Sequence, residues 1–224
     1  MTYDDGGYPM PKCYMKKNER IKEVLRLLDE YYPYNNECYL NYTHDYELLI
    51  ANMLAAQCTD DRVNMVTSTL FKNYSSLEDF ATSSQSEMEK AVHQTGFYRN
   101  KAKNIILTAN ILLAEHNGRL PNNIEELVKL PGVGRKTANV VLAHIFNVPT
   151  VIVDTHVKRI SFKLGFTKHV DPEKIEYELM KILPKKHWIR YNHQIIAHGR
   201  LICAAIKPKC SECFLKDLCN NIAL

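Results

Sequence analysis

The chain has 224 residues, of which 46% are hydrophobic and 24% charged, proportions that are ordinary for a folded globular protein. The net charge of +4 and the isoelectric point near 8.6 favour a polyanionic partner. No apolar run approaches the roughly 20 residues that span a bilayer, and residues 1–17 lack an apolar signal core, which argues against a membrane protein and a secreted one. We expect residues 1–17 to form a flexible tail.

Helical periodicity runs through almost the whole chain. The first helix has one apolar stripe, formed by Ile21, Val24, Leu25 and Leu28. The only strand-like run, 150–153, has no partner run, so the predicted fold class is all-α. Further helical signals are a buried run over 46–54, helix starts at Ser76 with Asp79 and at Asn122 with Glu125, a stripe over 105–113, and Asp171 with Pro172 as N-cap and first-turn proline.

A glycine-rich turn, L-P-G-V-G over 130–134, separates two predicted helices at 124–129 and 135–146. Gly132 and Gly134 allow positive φ and leave backbone amides unobstructed by side chains. A turn that leads into a helix amino end suits a phosphate group, because free amides and the helix dipole both attract an anion. The pattern predicts a helix-hairpin-helix that binds the DNA backbone; the alternative is an ordinary turn that ends in glycine.

Two residues near this turn are candidates for catalysis. Lys136 lies in the first turn of the second helix, where the helix dipole and Arg135 favour the neutral amine that a nucleophile needs. The alternative is a lysine that only contacts phosphate. Asp154 follows the apolar run 151–153 and is able to take a proton or stabilise a positive sugar. Its structural alternative is the N-cap of a helix that begins near Thr155.

Four cysteines close to the carboxyl end have gaps of six, two and five residues: Cys203, Cys210, Cys213 and Cys219. Only one close pair is present, and this wide spacing favours a [4Fe–4S] cluster over the paired short knuckles of a structural zinc site. Disulfide bonds are a third possibility. The total of seven cysteines is odd, and three of them lie far from this group, so we expect a reducing compartment.

Several separated motifs resemble endonuclease III, a DNA glycosylase and AP lyase of the helix-hairpin-helix superfamily. They are L-P-G-V-G-R-K-T-A-N-V-V-L (130–142), V-D-T-H-V (153–157), A-Q-C-T-D (56–60), G-F-Y-R-N-K-A (96–102), H-G-R (198–200) and the cysteine run. The resemblance extends over nearly the whole chain, from about Asn18 to Cys219. It implies two helical lobes with a central cleft. One is a six-helix barrel of residues 38–148 with the hairpin, and the other combines 18–37 with 149–224 and carries the cluster.

The resemblance also implies roles for individual residues. Lys136 would attack C1′ of an oxidised or reduced pyrimidine nucleotide with the help of Asp154 and form a Schiff base, and β-elimination would then break the strand 3′ to the lesion. The four cysteines would hold a [4Fe–4S] cluster. The partner would be double-stranded DNA with damaged pyrimidines or abasic sites, bound by a monomer inside a reducing compartment that contains DNA. The residues implied to contact DNA are Gln57, Phe97, Gly132, Gly134, His156, Lys207 and Lys209.

Some positions depart from the family pattern or have a second interpretation. Phe97 replaces the usual leucine that wedges into the base stack, and its alternative is a core aromatic. Cys58 replaces a small residue and is predicted to be packed, with an oxidisable thiol as the alternative. We expect that His144 is not a metal ligand. The remaining histidines, such as His93 and His116, are predicted to be solvated.

Adenine glycosylases of this superfamily have a glutamate where this chain has Asn52, and they lack the lysine; mismatch thymine glycosylases also lack it. Lys136 therefore favours the lyase-competent branch. Two other classes stay open from the sequence. One is a damage-binding module without catalysis, and the other is a small electron carrier, although such carriers are usually acidic and shorter.

Overall fold

The computed structural model describes residues 15–34 and 38–220, and no β-strand occurs within these ranges. The prediction of an all-α fold is confirmed. The described residues form eleven α-helices joined by short 3-10 turns and irregular segments: α1 (Lys17–Tyr31), α2 (Asp45–Leu54), α3 (Asp60–Asn73), α4 (Leu77–Thr82), α5 (Gln85–Val92), α6 (Tyr98–His116), α7 (Ile124–Leu127), α8 (Arg135–His144), α9 (Thr155–Lys163), α10 (Pro172–Ile182) and α11 (Trp188–Leu201).

Side-chain caps fix where several of these helices begin. Ser76 and Asp79 form a capping box at α4, and the amide of Lys174 donates to Asp171 at 2.9 Å at the start of α10. The start predicted at Asn122 with Glu125 is wrong by one residue. Asn123 is the cap, because its extended backbone lets its side chain accept the amide of Glu126 at 2.8 Å.

Both helices around the glycine-rich turn are shorter than predicted. α7 ends at Leu127 because the next amides bond three residues back, from Lys129 to Glu126 and from Leu130 to Leu127, which tightens the chain into the turn. α8 ends at His144, and Asn147 adopts a left-handed conformation with φ 53°. The amide of Val148 then bonds the carbonyl of Leu142 at 2.9 Å, which closes the helix end.

Two compact units make up the chain, one of residues 38–148 and one of residues 15–34 with 149–220 among those described. The first has a core of large apolar side chains from α2 to α8. The second is built around α1, α9, α10 and α11, and the predicted stripe of α1 lies in its core. The largest fully buried side chains of the first unit are Phe80, Leu48, Leu49, Leu54, Leu70, Met88, Ile105, Leu112 and Leu127, and those of the second are Tyr191, Phe166 and Leu28.

The run Thr150–Val153 is buried and belongs to no helix or strand. Its backbone is held from within its own unit, since Nδ2 of Asn192 donates to the carbonyl of Ile152 at 3.0 Å. A buried carbonyl with a side-chain donor needs no strand partner, which explains how an apolar run exists without a sheet. The segment ends at Asp154, where α9 begins.

Most of the tail predicted for residues 1–17 lies outside the described residues, and α1 begins at Lys17. In the part of the chain that is described, no helix has the length and apolar character needed to cross a bilayer.

Candidate active site and cysteine centre

The turn between α7 and α8 is held by buried apolar residues and by α6. Leu130 and Val133 are buried, and the amide of Val133 donates to the carbonyl of Leu130 at 3.0 Å. The hydroxyl of Thr108 donates to the carbonyl of Pro131 at 3.0 Å. These contacts anchor the back of the turn and leave its glycines facing outward, since both Gly132 and Gly134 are exposed.

The backbone conformation and the space for a Cβ differ between the two glycines. Gly132 has φ +78°, and a Cβ there would lie 2.7 Å from Nδ2 of Asn104, so a side chain fits neither the backbone nor the space. Gly134 has φ −90°, which corrects the expectation of positive φ at this position. A Cβ on Gly134 would meet nothing within 4 Å, so this glycine leaves room for something outside the protein.

The amino end of α8 is suited to an anion. Gly134 is its N-cap and provides no side-chain hydrogen bond, and its first turn contains no acidic residue. The first amides of a helix lack partners within the helix, and the dipole places partial positive charge there. Arg135 and Lys136 add side-chain charge at the same end. Lys136 is exposed, while Ala138 further along the helix is buried in the core.

Asp154 is the N-cap of α9. Its Oδ1 accepts the amide of Val157 at 2.7 Å, so the prediction that Asp154 is the N-cap of a helix that begins near Thr155 is confirmed. The side chain is half-buried, and the cap bond fixes the orientation of the carboxylate. Oδ2 is a second acceptor on the same group. The capping role and a catalytic role are therefore compatible.

Gln57 and Phe97 both occupy loops in left-handed backbone conformations, with φ 55° and φ 48°. Both side chains are exposed, and 65% of Phe97 is accessible, so the alternative that Phe97 is a core aromatic is wrong. A residue other than glycine in this conformation is strained, and such strain is concentrated at functional sites. Cys58, next to Gln57, is half-buried.

His156 is held in place by two residues of its own unit that the sequence analysis did not single out for this role. Nη2 of Arg159 lies 3.2 Å from Nδ1 of His156 and donates to the carbonyl of Cys203 at 2.8 Å. Gly199 lies against the imidazole so closely that a Cβ there would overlap Nδ1. The spacing of three residues between His156 and Arg159 on one helix was the available sequence signal.

The four clustered cysteines line one recess of about 460 Å³, its open mouth included, together with the apolar side chains Ile160, Leu164, Ile202 and Leu215. All four are half-buried, and the six cysteines within the described ranges are free, so the disulfide alternative has no support. Burial raises the pKa of the Cys203 and Cys213 thiols. A positive metal centre is what would hold them as thiolates.

The placement of the thiols bears on the choice between an iron–sulfur cluster and a single zinc ion. In residues 15–34 and 38–220, no group of three or more histidine, cysteine or acidic side chains is placed to hold one metal ion. A tetrahedral zinc site needs all its sulfurs about 2.3 Å from one point. No three of the four thiols are placed in this way in the described residues.

His198 and His187 are buried, which corrects the expectation that the remaining histidines are solvated. Nε2 of His198 lies 3.6 Å from Sγ of Cys213, and its Nδ1 lies 3.2 Å from the hydroxyl of Tyr32. Burial lowers the pKa of His198 to about 4. Burial, with the nearby Cys213 as a smaller cause, raises the pKa of Tyr32 to about 12. A thiolate only accepts hydrogen bonds, so with Cys213 as a thiolate Nε2 of His198 carries the hydrogen and Nδ1 accepts from the Tyr32 hydroxyl.

The loop between Cys203 and Cys210 presents its cations to solvent. Lys207 and Lys209 are exposed, and Lys207 has φ 52°. The amide of Lys209 donates to the carbonyl of Ile202 at 2.9 Å and closes the loop. Ile206 at its tip is 82% accessible.

Comparison with known proteins decides the family. Residues 50–185 match the HhH-GPD superfamily of base excision DNA repair proteins. The chain is 49% identical over 206 residues to endonuclease III of Synechocystis sp., which covers 92% of this chain and 94% of that protein. The chain belongs to the endonuclease III family. Endonuclease III of Bacillus subtilis is 42% identical over 204 residues, with 91% of this chain and 93% of that protein covered.

Solved structures agree with this family assignment. An endonuclease III trapped as a covalent intermediate with DNA superposes with a TM-score of 0.87 at 42% identity, over 92% of this chain and 97% of that chain. A thermostable thymine-DNA glycosylase, at 22% identity and a TM-score of 0.81, shares the fold alone. As a member of the endonuclease III family, the chain is a DNA glycosylase, and AP lyase activity is known for this family.

Proposed function

We propose that this glycosylase removes oxidised or reduced pyrimidines, of the thymine glycol type, from double-stranded DNA and then cleaves the strand as an AP lyase. The observation that carries the proposal is the exposed Lys136 in the first turn of α8, a helix whose amino end no side chain caps. A phosphate bound at that end brings its own deoxyribose close to the lysine. Positioning of this kind is a large part of catalysis.

Lys136 is the proposed nucleophile. Its neutral amine attacks C1′ of the damaged nucleoside, the C1′–N bond breaks, and the base leaves with the bonding electron pair and takes up a proton. The sugar ring opens as the nitrogen loses its proton, which gives a Schiff base between Nζ and C1′. Loss of a C2′ proton then expels the 3′ phosphate and breaks the strand 3′ to the lesion. The trapped covalent intermediate of a similar endonuclease III supports a covalent step.

Asp154 is the proposed acid–base partner of the lysine. Its carboxylate takes a proton from the attacking amine or stabilises the positive charge that develops on the sugar. The 2.7 Å bond from the amide of Val157 supports this role, because it holds the carboxylate in one orientation before substrate binds. A group that needs no reorganisation at the moment of reaction stabilises charge most effectively.

The remaining site residues are proposed to bind and distort the DNA. The amides at Gly132 and Gly134 contact a phosphate, and His156 contacts the backbone near the lesion. Gln57 fills the space left by the extruded nucleotide, and Phe97 wedges into the stack beside the unpaired base. Extruding a base costs a few kcal/mol, and inserted side chains offset part of that cost.

We also propose that Cys203, Cys210, Cys213 and Cys219 bind a [4Fe–4S] cluster. When bound, the cluster supplies four iron–thiolate bonds that fix the loop between Cys203 and Cys210. Lys207 and Lys209, both exposed on that loop, then contact DNA phosphates. The cluster is proposed to be structural, because neither Lys136 nor Asp154 lines its recess.

The two units are proposed to correspond to the two lobes of the family, one of residues 38–148 with the hairpin and one of 18–37 with 149–224. We propose that each lobe contributes DNA contacts and that the enzyme acts as a monomer. Its substrate is double-stranded DNA with damaged pyrimidines or abasic sites, in a reducing compartment that contains DNA.

An incision assay tests the proposal. Three labelled duplexes are compared, with a thymine glycol, an abasic site and no damage. We expect strand cleavage of both damaged duplexes and none of the third. Cleavage of the abasic duplex alone would contradict the proposed lesion class. Binding without cleavage of either would make the protein a damage-recognition module.

A further inference from the structure

Lys101 of α6 is a buried lysine that bridges two loops of its own unit. Only 6% of it is accessible. Its Nζ donates to the carbonyl of Leu54 at 2.8 Å and to the carbonyl of Thr95 at 2.7 Å. Leu54 is the last residue of α2, three residues before Gln57, and Thr95 lies two residues before Phe97. One ammonium group therefore joins the roots of the two loops that carry the proposed DNA-inserting residues.

The charge of Lys101 is costly at this buried position. Burial lowers the pKa of Lys101, because taking an ammonium group out of water disfavours its charged form. The two carbonyls and the negative end of α2 offset part of that cost. An apolar side chain of the same length would leave the buried carbonyls of Leu54 and Thr95 without this donor. The ammonium group therefore satisfies both carbonyls and couples the positions of the two segments that carry them.

The two loops are strained where they present their side chains. Gln57 and Phe97 have positive φ, a backbone conformation that is unfavourable for a residue other than glycine. Such conformations persist only where the surrounding structure restrains them. Next to Gln57, the amide of Cys58 donates to the carbonyl of Ala55 at 3.2 Å. Lys101 restrains both loops from one point.

We propose that Lys101 is a positioning residue for base extrusion: it sets the separation of the Gln57 and Phe97 loops so that both side chains enter the DNA together. This inference rests on the proposed function of Gln57 and Phe97. It predicts that Lys101 matters when a base has to be extruded and matters less when the base is already absent.

The test compares two rates in the full-length, cluster-loaded protein. Lys101→Met keeps the length of the side chain and removes its donors, and Lys103→Met is the matched control, because Lys103 is an exposed lysine on the same helix. We expect single-turnover base removal from a thymine glycol duplex to fall by about tenfold or more. Cleavage of a preformed abasic site should fall by less than about threefold, since no base has to be extruded. Lys103→Met should change neither rate.

A spectroscopic signal reports extrusion separately from chemistry. With 2-aminopurine placed opposite the lesion, the fluorescence rise on binding should be reduced in Lys101→Met and normal in Lys103→Met. In a variant that already lacks the Gln57 and Phe97 side chains, adding Lys101→Met should have no further effect on base removal, because residues that act as one unit are not additive. If Lys101→Met does not fold, Lys101→Gln takes its place, and its rates of base removal and of abasic-site cleavage are compared in the same way. The glutamine side chain offers donors to one carbonyl only.

Two results would overturn the role of Lys101. One is an equal fall in base removal and abasic-site cleavage, which indicates a general loss of structure. The other is base removal within about twofold of the parent, with an unchanged fluorescence signal. The proposed function is judged separately, from the rates of the unaltered protein on the same duplexes.

Discussion

Nε2 of His198 lies 3.6 Å from Sγ of Cys213, inside the recess that the four clustered cysteines share. The hydroxyl of Tyr32 on the other ring nitrogen leaves Nε2 as the donor toward the thiolate. Hydrogen bonds to cluster sulfurs stabilise the reduced, more negative state.

His198→Leu should lower the reduction potential of the bound cluster and speed its loss in air, because the Cys213 thiolate loses its donor. The measurements are film voltammetry and the decay of the visible absorbance of the cluster. His193→Leu, on the same helix α11, is the control. A potential and a decay rate equal to those of the parent would show that the contact has no effect on the cluster.

Gly132→Ala and Gly134→Ala should separate folding from DNA binding. Gly132→Ala should lower the free energy of unfolding by about 1–3 kcal/mol, since alanine is strained at φ +78° and its Cβ meets Asn104. Gly134→Ala should leave stability within about 0.5 kcal/mol and weaken binding to an abasic-analogue duplex, because its Cβ enters the space proposed for phosphate. Urea denaturation and fluorescence anisotropy measure the two effects. Unchanged affinity in Gly134→Ala would contradict the phosphate site.

Asp154→Asn and Asp154→Ala should separate the cap from the chemistry. Asparagine also accepts the amide of Val157, so Asp154→Asn should keep its stability and lose most of its single-turnover rate. Asp154→Ala loses the cap as well and should be less stable by about 1 kcal/mol. If Asp154→Asn reacts at the parent rate, the carboxylate has no role beyond capping.

His187 should make the protein less stable in mild acid. Burial lowers the pKa of His187 below its ordinary value of 6.5, although Asp29 at 3.9 Å opposes the shift. The unfolded chain therefore binds a proton just below pH 6.5 that the folded chain does not, so the free energy of unfolding falls as the pH falls through that region. Urea denaturation at pH 7 and at about pH 5.5 measures the fall, which should be smaller in His187→Gln. An equal or larger fall in the variant would assign it to other groups.

The sequence predicted those features that depend on neighbouring residues. The cap at Ser76, the cap with proline at Asp171 and the apolar stripe of α1 all follow from local periodicity and local hydrogen bonds. The all-α class followed from the lack of any partner for the run 150–153. The error at Asn122 also has a local cause: two adjacent asparagines are equally good caps, and only the backbone geometry distinguishes them.

Features that depend on contacts distant in sequence were not predictable from local pattern. The burial of His198 depends on Tyr32, 166 residues away, and the support of His156 depends on Arg159 and its bond to the carbonyl of Cys203. Gly134 shares its residue type with Gly132 but not its backbone conformation, which a sequence pattern does not distinguish. The bridging role of Lys101 is of the same kind, because its partners lie at the ends of two other segments.

Covalent trapping by borohydride tests whether Lys136 is the nucleophile. Three proteins are compared: the parent, Lys136→Ala and the control Lys129→Ala. Lys129 is a lysine of the preceding turn that is ion-paired with Glu126 at 2.6 Å. Each protein is mixed with a thymine glycol duplex and reduced, and the adduct is mapped by mass spectrometry. We expect an adduct on Lys136 in the parent and in Lys129→Ala, and none in Lys136→Ala although it still binds the duplex. An adduct of normal yield in Lys136→Ala, or one mapped to another residue in the parent, would contradict this role of Lys136.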